Sequence, residues 1–217
     1  MYIVATGILM SEIDFVVTWV DDKDLSWQKE KSKWSQLNNN EANKSGRYRD
    51  WDFLRYWFRA VEKYAPWVGT VFFVTAGHIP HWLNTECSKL KVIRHDEFIP
   101  EKYLPTFSSR PIELNLHRIP GLPEKFVYFN DDMFLNNHVE MNLFFRDDLP
   151  CDFIQMNHIV FDSYSDKFNH TLANNEAVIN ENFTVRDIRK HIRLIANFTY
   201  PIEDNFRNML FYGINTY

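Results

Sequence analysis

Four short runs of β-branched and aromatic residues, separated by segments with helical periodicity, constrain the fold of this chain more than any other feature. The runs cover residues 13–20, 68–75, 91–95 and 125–129. Apolar residues recur every three or four positions over residues 51–64, which predicts an amphipathic helix, and residues 108–119 are a second predicted helix. Strands that alternate with helices of this length predict an α/β fold with a largely parallel sheet.

Local signals suggest where the helices begin and end. Asp50 precedes the periodic segment and is predicted to be its N-cap, and Pro66 is predicted to stop it. The polar stretch 24–47 is predicted to hold a short helix, with Trp27 and Trp34 on one face, followed by a loop. In the last third of the chain, residues 152–161 are a candidate strand and residues 185–198 a candidate helix.

Composition excludes several classes of function. The 24 Lys and Arg residues are outnumbered by 29 Asp and Glu, a formal charge of −5 that argues against nucleic acid as a partner. The six glycines are too widely spaced for a dinucleotide fingerprint or a P-loop. Cys87 and Cys151 form no CxxC pair, which favours a reduced compartment. No apolar run approaches the roughly 20 residues that span a bilayer, and residues 1–10 lack a signal peptide, so a cytoplasmic protein is expected.

Acidic residues follow two of the predicted strands, at the ends where open parallel sheets bind ligands. Asp131 and Asp132 come directly after residues 125–129 and precede an apolar Met-Phe-Leu sequence. Two carboxylates in an apolar setting are costly unless a cation compensates them, which predicts an Mg²⁺ site; a strand-end turn is the structural alternative. Asp21 and Asp24 follow the first run, where a polar loop is equally expected. Asp147-Asp148 is predicted to be a solvated turn.

Basic residues at two helix entrances are candidates for phosphate binding. Arg47 and Arg49 precede the helix predicted to start after Asp50, whose free N–H groups favour an anion. Ser109 and Arg110 have a similar position in the second helix, for which a capping arrangement is the alternative.

One turn inside that second helix, Glu113 and His117 are four residues apart. They are predicted to share a helix face. This spacing leaves open whether the two residues act together in the site.

Several segments, in this order, resemble the first two conserved blocks of the Stealth family. They read IDFVVTWV at 13–20, RYRD at 47–50, VEKYAPW at 61–67, IPHWLN at 79–84, LPTFSS at 104–109 and FNDD at 129–132. The family includes bacterial capsular polysaccharide phosphotransferases and the alpha/beta subunits of N-acetylglucosamine-1-phosphotransferase. Two positions depart from the family pattern: Asp21-Asp22 stands where a glycine turn is frequent, and Arg110 where a small residue is frequent.

The resemblance implies a core similar to nucleotide-diphosphosugar transferases of the GT-A type over residues 13–162, followed by a helical extension over 163–217. It implies transfer of a sugar 1-phosphate from a nucleotide-sugar to a hydroxyl of a growing capsular or exopolysaccharide, with Mg²⁺ or Mn²⁺ required. An ordinary GT-A glycosyltransferase and a non-catalytic sugar-binding fragment are the alternatives. Two further blocks of the family, with a His and an Arg attributed to the site, are not found before Tyr217, so the chain resembles a truncated member.

The predicted site follows from matching these blocks. The partners expected are a nucleotide-sugar donor, a saccharide acceptor and, by peripheral association at the inner face of the membrane, the capsule assembly machinery. Asp131 and Asp132 are the predicted metal ligands. Trp19 is a candidate to stack on the base, or else a core residue. The predicted catalytic residues are Asp131, Asp132, Arg49, Arg110, Glu113 and His117. The predicted nucleotide-sugar-binding residues are Thr18, Trp19, Asp21, Asp24, Arg47, Asp50, Ser109 and Asn130.

Overall fold

The computed structural model describes residues 13–35, 51–151 and 167–182. The chain up to Cys151 forms one compact unit, and the residues after it belong to a second. All four runs predicted as strands form strands of one sheet. These are β1 (Asp14–Trp19), β2 (Val71–Thr75), β3 (Leu90–Arg94) and β4 (Phe126–Phe129).

The sheet has the strand order β3-β2-β1-β4, and each neighbouring pair of these described strands is parallel. The predicted α/β fold with a largely parallel sheet is therefore confirmed. Val17 of β1 is level with Phe73 of β2 and with Phe129 of β4. The carboxyl ends of β1 and β4 consequently lie side by side, at the edge where sheets of this kind bind ligands.

Apolar side chains cover both faces of the sheet, as parallel strands require. Successive strand residues point to opposite faces, so Phe15 and Val17 enter one core cluster while Val16 enters the other. The second cluster also contains Ile112 and Leu116. Strand β1 is thus buried on both sides, which explains its consecutive apolar residues Phe15, Val16 and Val17.

Helix α2 (Leu54–Tyr64) packs on the first face. Its buried residues Leu54, Trp57 and Val61 show the predicted helical spacing, and the Trp57 ring lies 5.6 Å from that of Phe129. The helix ends before Ala65, so the predicted stop at Pro66 is confirmed.

The predicted start of this helix is wrong. It begins at Leu54 rather than Trp51, with Phe53 at the N-cap position and no side-chain capping bond. Asp52 has a φ of +59°, a left-handed conformation that cannot belong to a right-handed helix. The carboxylate of Asp52 pairs with Arg55 in the first turn. Asp50 is therefore too far upstream to be the N-cap.

Helix α1 (Leu25–Ser35) is the short helix predicted in the polar stretch. Trp27 is buried and its ring lies 5.7 Å from that of Phe107, whereas Trp34 is 51% exposed. The two tryptophans share a face by spacing, but only the first of them packs.

Helix α3 (Ser109–Asn115) covers part of the second face and is shorter than predicted. A 3₁₀ turn, Leu116–Arg118, follows it, so the single helix expected over residues 108–119 is interrupted. Tightening of this kind is common where a helix ends. Ser108 occupies the N-cap position without a side-chain capping bond. Other 3₁₀ turns in the described residues are His95–Glu97, Glu101–Tyr103 and Met141–Leu143.

Asp147 and Asp148 form the turn of a small hairpin between β5 (Phe145–Arg146) and β6 (Leu149–Pro150). Their φ values of 51° and 65° are those of a two-residue hairpin turn, so the predicted solvated turn is confirmed. The flanking strands were not predicted, because two residues carry no periodicity. Asp148 also forms an ion pair with Lys125.

The second unit is described through helix α4 (Lys167–Asn182), which falls inside the segment predicted to be a helical extension. The strand predicted at 152–161 and the helix predicted at 185–198 lie outside the described residues. Among the helices that are described, none is both long and apolar enough to span a membrane. Cys87 and Cys151 are both free and exposed.

Candidate functional site

The hydroxyl of Tyr128 connects three of the predicted site residues. It lies 3.1 Å from Thr18 Oγ1, donates to Asn130 Oδ1 at 2.8 Å, and is 3.4 Å from Glu113 Oε1 as a second acceptor. These residues come from β1, from α3 and from the residue that follows β4. The structure thus brings Thr18, Glu113 and Asn130 together at the carboxyl end of the sheet, on the face that α3 covers.

Tyr128 is a site residue that sequence reasoning missed. Burial raises the pKa of its hydroxyl to about 12, and the carboxylate of Glu113 adds to this effect while the hydrogen bond with Thr18 opposes it. The phenol therefore stays protonated at neutral pH. Since it has one proton and two acceptors, the Thr18 hydroxyl is the group that donates to it when that proton is directed at Glu113 or Asn130.

Helix α3 presents polar residues towards solvent. Ser109, Arg110 and Glu113 are exposed, and so is His117. Because the α-helix ends at Asn115, His117 lies in the following 3₁₀ turn rather than on an α-helical face with Glu113. The single α-helix on which the shared face was predicted is therefore interrupted, and of the two residues Glu113 is the one that bonds to Tyr128.

Asp131 and Asp132 follow β4 in a turn closed by the bond from Met133 N–H to the Asn130 carbonyl at 3.2 Å. Asp131 is partly buried, but Asp132, Met133 and Phe134 are exposed, the last two to 52% and 39%. The predicted apolar setting is therefore wrong. The Asp131 and Asp132 carboxylates are not buried deeply enough to require a neutralising cation. The case for a metal therefore depends on the chemistry of these two side chains as ligands.

That chemistry suits a hard divalent cation. The described residues hold no group of three or more His, Cys, Asp or Glu side chains arranged around a metal position. Mg²⁺ commonly binds through one or two carboxylates and fills the rest of its shell with water and phosphate oxygens. Asp131 and Asp132 provide two such carboxylates in an open turn, so the residues present fit Mg²⁺ or Mn²⁺.

The loop between β1 and α1 holds the other acidic residues. Asp24 Oδ1 accepts from the Trp27 N–H at 2.7 Å and from Ser26 Oγ at 2.5 Å, which makes Asp24 the cap of α1. These bonds lower the pKa of Asp24. Asp21 Oδ1 accepts from the Lys23 N–H at 2.9 Å. Asp24 thus caps a helix, whereas the sequence predicted for it a role in nucleotide-sugar binding.

His78, in the loop after β2, was not assigned to the site either. Its Nε2 accepts a hydrogen bond from the Asp21 backbone N–H at 2.9 Å. Burial lowers the pKa of His78, against the opposing effect of the Asp24 and Asp21 carboxylates. No sequence pattern reports this contact, because the two residues are 57 positions apart.

Four remaining predictions divide into two groups. Trp19 is only 8% exposed, with its ring 5.8 Å from Phe73 and 5.3 Å from His78. This favours the core role that the sequence left open, since a packed ring offers no free face to a base. Arg47, Arg49 and Asp50 lie outside the described residues.

Comparison with known proteins identifies what the chain resembles. A family model of Stealth protein conserved region 2 matches residues 47–152. The chain is 50% identical over 145 residues to the capsular polysaccharide phosphotransferase WcwK of Streptococcus pneumoniae, covering 66% of the chain and 43% of that relative. It is 47% identical over 191 residues to the exopolysaccharide phosphotransferase cps2G of Lactiplantibacillus plantarum, covering 87% and 55%.

A third relative matches over nearly the whole chain. The receptor polysaccharide phosphotransferase WefC of Streptococcus gordonii is 38% identical over 207 residues, covering 94% of the chain and 61% of that relative. The chain thus spans about half the length of the curated relatives that it matches.

Proposed function

The chain belongs to the Stealth family, and from this premise we propose that it transfers a sugar 1-phosphate from a nucleotide-sugar to a hydroxyl of a growing capsular or exopolysaccharide. A UDP-hexose or UDP-N-acetylhexosamine is the proposed donor, and a nucleoside monophosphate is the proposed product. Support for the reaction comes from the relatives, which are named as polysaccharide phosphotransferases.

The observation that supports the location of the site is the parallel register of β1 with β4. Val17 pairs with Phe129, so the loop that carries Asp21 and the turn that carries Asp131 leave the sheet from neighbouring strands. Ligands of open α/β sheets bind at this edge. The bonds from Tyr128 to Thr18 and Asn130 join the same two strands.

In the proposed reaction, an acceptor hydroxyl attacks the phosphorus nearest the donor sugar. A new phosphorus–oxygen bond forms, the bond to the bridging oxygen breaks, and the nucleoside monophosphate leaves with the bonding electrons. The acceptor proton passes to a base, for which Glu113 and His117 are the candidates. Arg110 and Arg49 are proposed to bind the phosphate oxygens, because a guanidinium offers paired donors to them.

Asp131 and Asp132 are proposed to hold Mg²⁺ or Mn²⁺, which when bound supplies positive charge to the donor pyrophosphate. Asn130, Thr18 and Asp21 are proposed to contact the nucleotide-sugar beside these carboxylates, with Ser109 at the entrance of α3. We also propose that the protein works next to the capsule assembly machinery at the inner face of the membrane.

Product analysis tests the proposal. The chain is incubated with Mg²⁺, UDP-glucose or UDP-N-acetylglucosamine, and an acceptor polysaccharide, and the nucleotide products are separated. Release of UMP with the sugar phosphate attached to the acceptor is the expected result. Release of UDP would indicate glycosyl transfer and overturn the proposal, and binding of the donor without turnover would leave a sugar-binding function instead.

A further inference from the structure

His78, a partly buried histidine, holds the backbone of the loop that follows β1. The N–H of Asp21 donates to His78 Nε2 at 2.9 Å. A backbone N–H can only donate, so Nε2 carries the lone pair and the ring proton is on Nδ1. This contact therefore requires the neutral imidazole.

The imidazole is itself fixed in place. Thr75, the last residue of β2, donates from Oγ1 to the His78 carbonyl at 2.8 Å. The ring stands perpendicular to that of the buried Trp19, with centroids 5.3 Å apart and an interplanar angle of 87°. Gly77 has a φ of +120°, a backbone conformation that residues with a side chain rarely adopt. The acceptor thus sits on a constrained turn rather than on a free loop.

We propose that His78 is a positioning residue for donor binding: through Nε2 it keeps the β1–α1 loop, and with it Asp21, in the conformation that binds the nucleotide-sugar. This inference rests on the proposed function and assigns a residue to the same site. His78 acts through Asp21 and does not touch the reacting atoms.

The same contact makes donor binding sensitive to acid. Protonation would turn Nε2 into a donor. It could then no longer accept the hydrogen bond from the Asp21 N–H, and that bond would break. The charged and titratable groups around His78 are Asp21 and Asp24 on the loop after β1, His95 after β3, and the Arg94–Asp96 ion pair next to Gly77. The two carboxylates favour protonation, whereas burial opposes it and lowers the pKa of His78.

The first experiment tests the contact without using activity. Amide hydrogen exchange of Asp21 is measured by NMR in the unaltered chain, in His78→Ala and in His78→Gln, whose side-chain oxygen can accept the same bond. His138→Ala is the control, because His138 is exposed and packs on Tyr64. We expect exchange at Asp21 to be about tenfold faster in His78→Ala, as for a lost backbone partner, and near the original rate in the other two. Unchanged exchange in His78→Ala would overturn the proposal.

The second experiment measures KM and kcat for UDP-N-acetylglucosamine with Mg²⁺. We expect His78→Ala to raise KM about tenfold with little change in kcat, and His78→Gln to restore it. The KM of the unaltered chain should rise as the pH falls from about 7 to about 5, while that of His78→Gln stays level. If His78→Ala folds poorly, the dependence of KM on pH in His78→Gln still tests the proposal. A dependence as steep as that of the unaltered chain would overturn it. Absence of turnover in the unaltered chain would count against the proposed function, whereas the exchange rates would still decide on His78.

Discussion

Within the part of the chain that the structure describes, the hydroxyl of Tyr128 links three chain segments at the candidate site. It contacts Thr18 at the end of β1, Glu113 in α3 and Asn130 after β4. These contacts fix the spacing between the strand ends and the helix. The Tyr128 ring also packs against the second core cluster, so apolar contacts anchor the network, while Glu113 and Asn130 are exposed.

Tyr128→Phe removes this hydroxyl and keeps the ring. We expect kcat/KM for UMP release to fall about tenfold, because Thr18, Glu113 and Asn130 lose their common partner. The free energy of unfolding should change by only about 1 kcal/mol, as is usual for one hydrogen bond. Steady-state kinetics and urea unfolding measure the two effects. Tyr103→Phe, on an exposed tyrosine outside the network, is the control; an equal loss in that variant would contradict the assignment.

Asp132→Asn tests the proposed metal ligands. The substitution keeps the shape of the side chain and removes its charge, so the gain in donor affinity on adding Mg²⁺ should fall by at least about tenfold. Titration calorimetry with UDP-N-acetylglucosamine, with and without MgCl₂, measures this gain. Asp147→Asn, in the hairpin turn, should keep the gain. An unchanged response to Mg²⁺ in Asp132→Asn would rule out this ligand.

Helix α1 begins with a side-chain cap, which α2 and α3 lack. Its four free N–H groups are partly satisfied by Asp24, which accepts from the Trp27 N–H at 2.7 Å. One turn later the buried Trp27 anchors the helix on Phe107. The loop that carries the candidate binding residues is therefore held between the end of β1 and a capped helix.

Asp24→Ala should lower the free energy of unfolding by about 1 kcal/mol, which is typical of a lost N-cap. Urea unfolding followed by circular dichroism gives the value. Glu30→Ala, on the exposed face of the same helix, should differ from the original chain by less than about 0.5 kcal/mol. A stability for Asp24→Ala within that same margin would show that the cap contributes little.

The elements that the sequence predicts correctly are those with strong periodicity. All four sheet strands and the apolar face of α2 follow from β-branched runs and from apolar residues three and four apart. The start of α2 was missed because Asp50 is a good capping residue by type, while the left-handed Asp52 is a property of the folded backbone. The interruption of α3 and the two-residue strands of the hairpin likewise have no local signal.

The candidate site is less predictable for the same reason. Thr18, Glu113 and Asn130 were predicted and are brought together, but Tyr128 looked like one more aromatic residue of a core strand. Its position two residues before Asn130, and so on the same face of the strand, is the one clue that sequence offers. The expected burial of Asp132 failed because apolar neighbours in sequence, Met133 and Phe134, turn out to be exposed.

At the scale of the whole molecule, two partly buried histidines make the fold sensitive to acid. Burial lowers the pKa of His95 to about 4, with His78 nearby adding to the effect, and it lowers the pKa of His78 as well. In the unfolded chain these residues titrate at their ordinary pKa of about 6.5. The unfolded state therefore binds more protons between these values, and stability is lost as the pH falls through that window.

We expect the free energy of unfolding to decrease between about pH 6.5 and about pH 4, with His95 accounting for up to about 3 kcal/mol of the change. His95→Gln should remove that part of the slope, while His138→Gln should keep it. Urea unfolding at a series of pH values measures both. A slope as steep in His95→Gln as in the original chain would exclude His95 as the source.

The strand order has a consequence for how the protein is made. β1 is among the first described segments to leave the ribosome, yet its two neighbours in the sheet are encoded far downstream, and β4 emerges last of the four. A nascent chain can pair β1 with β2 early, but it has to keep the other side of β1 unpaired until Phe129 has been translated. The polar ends of β1 and β4 can therefore meet only late in synthesis. A stalled or prematurely terminated chain would expose the unpaired, apolar edge of β1 to chaperones and to other chains.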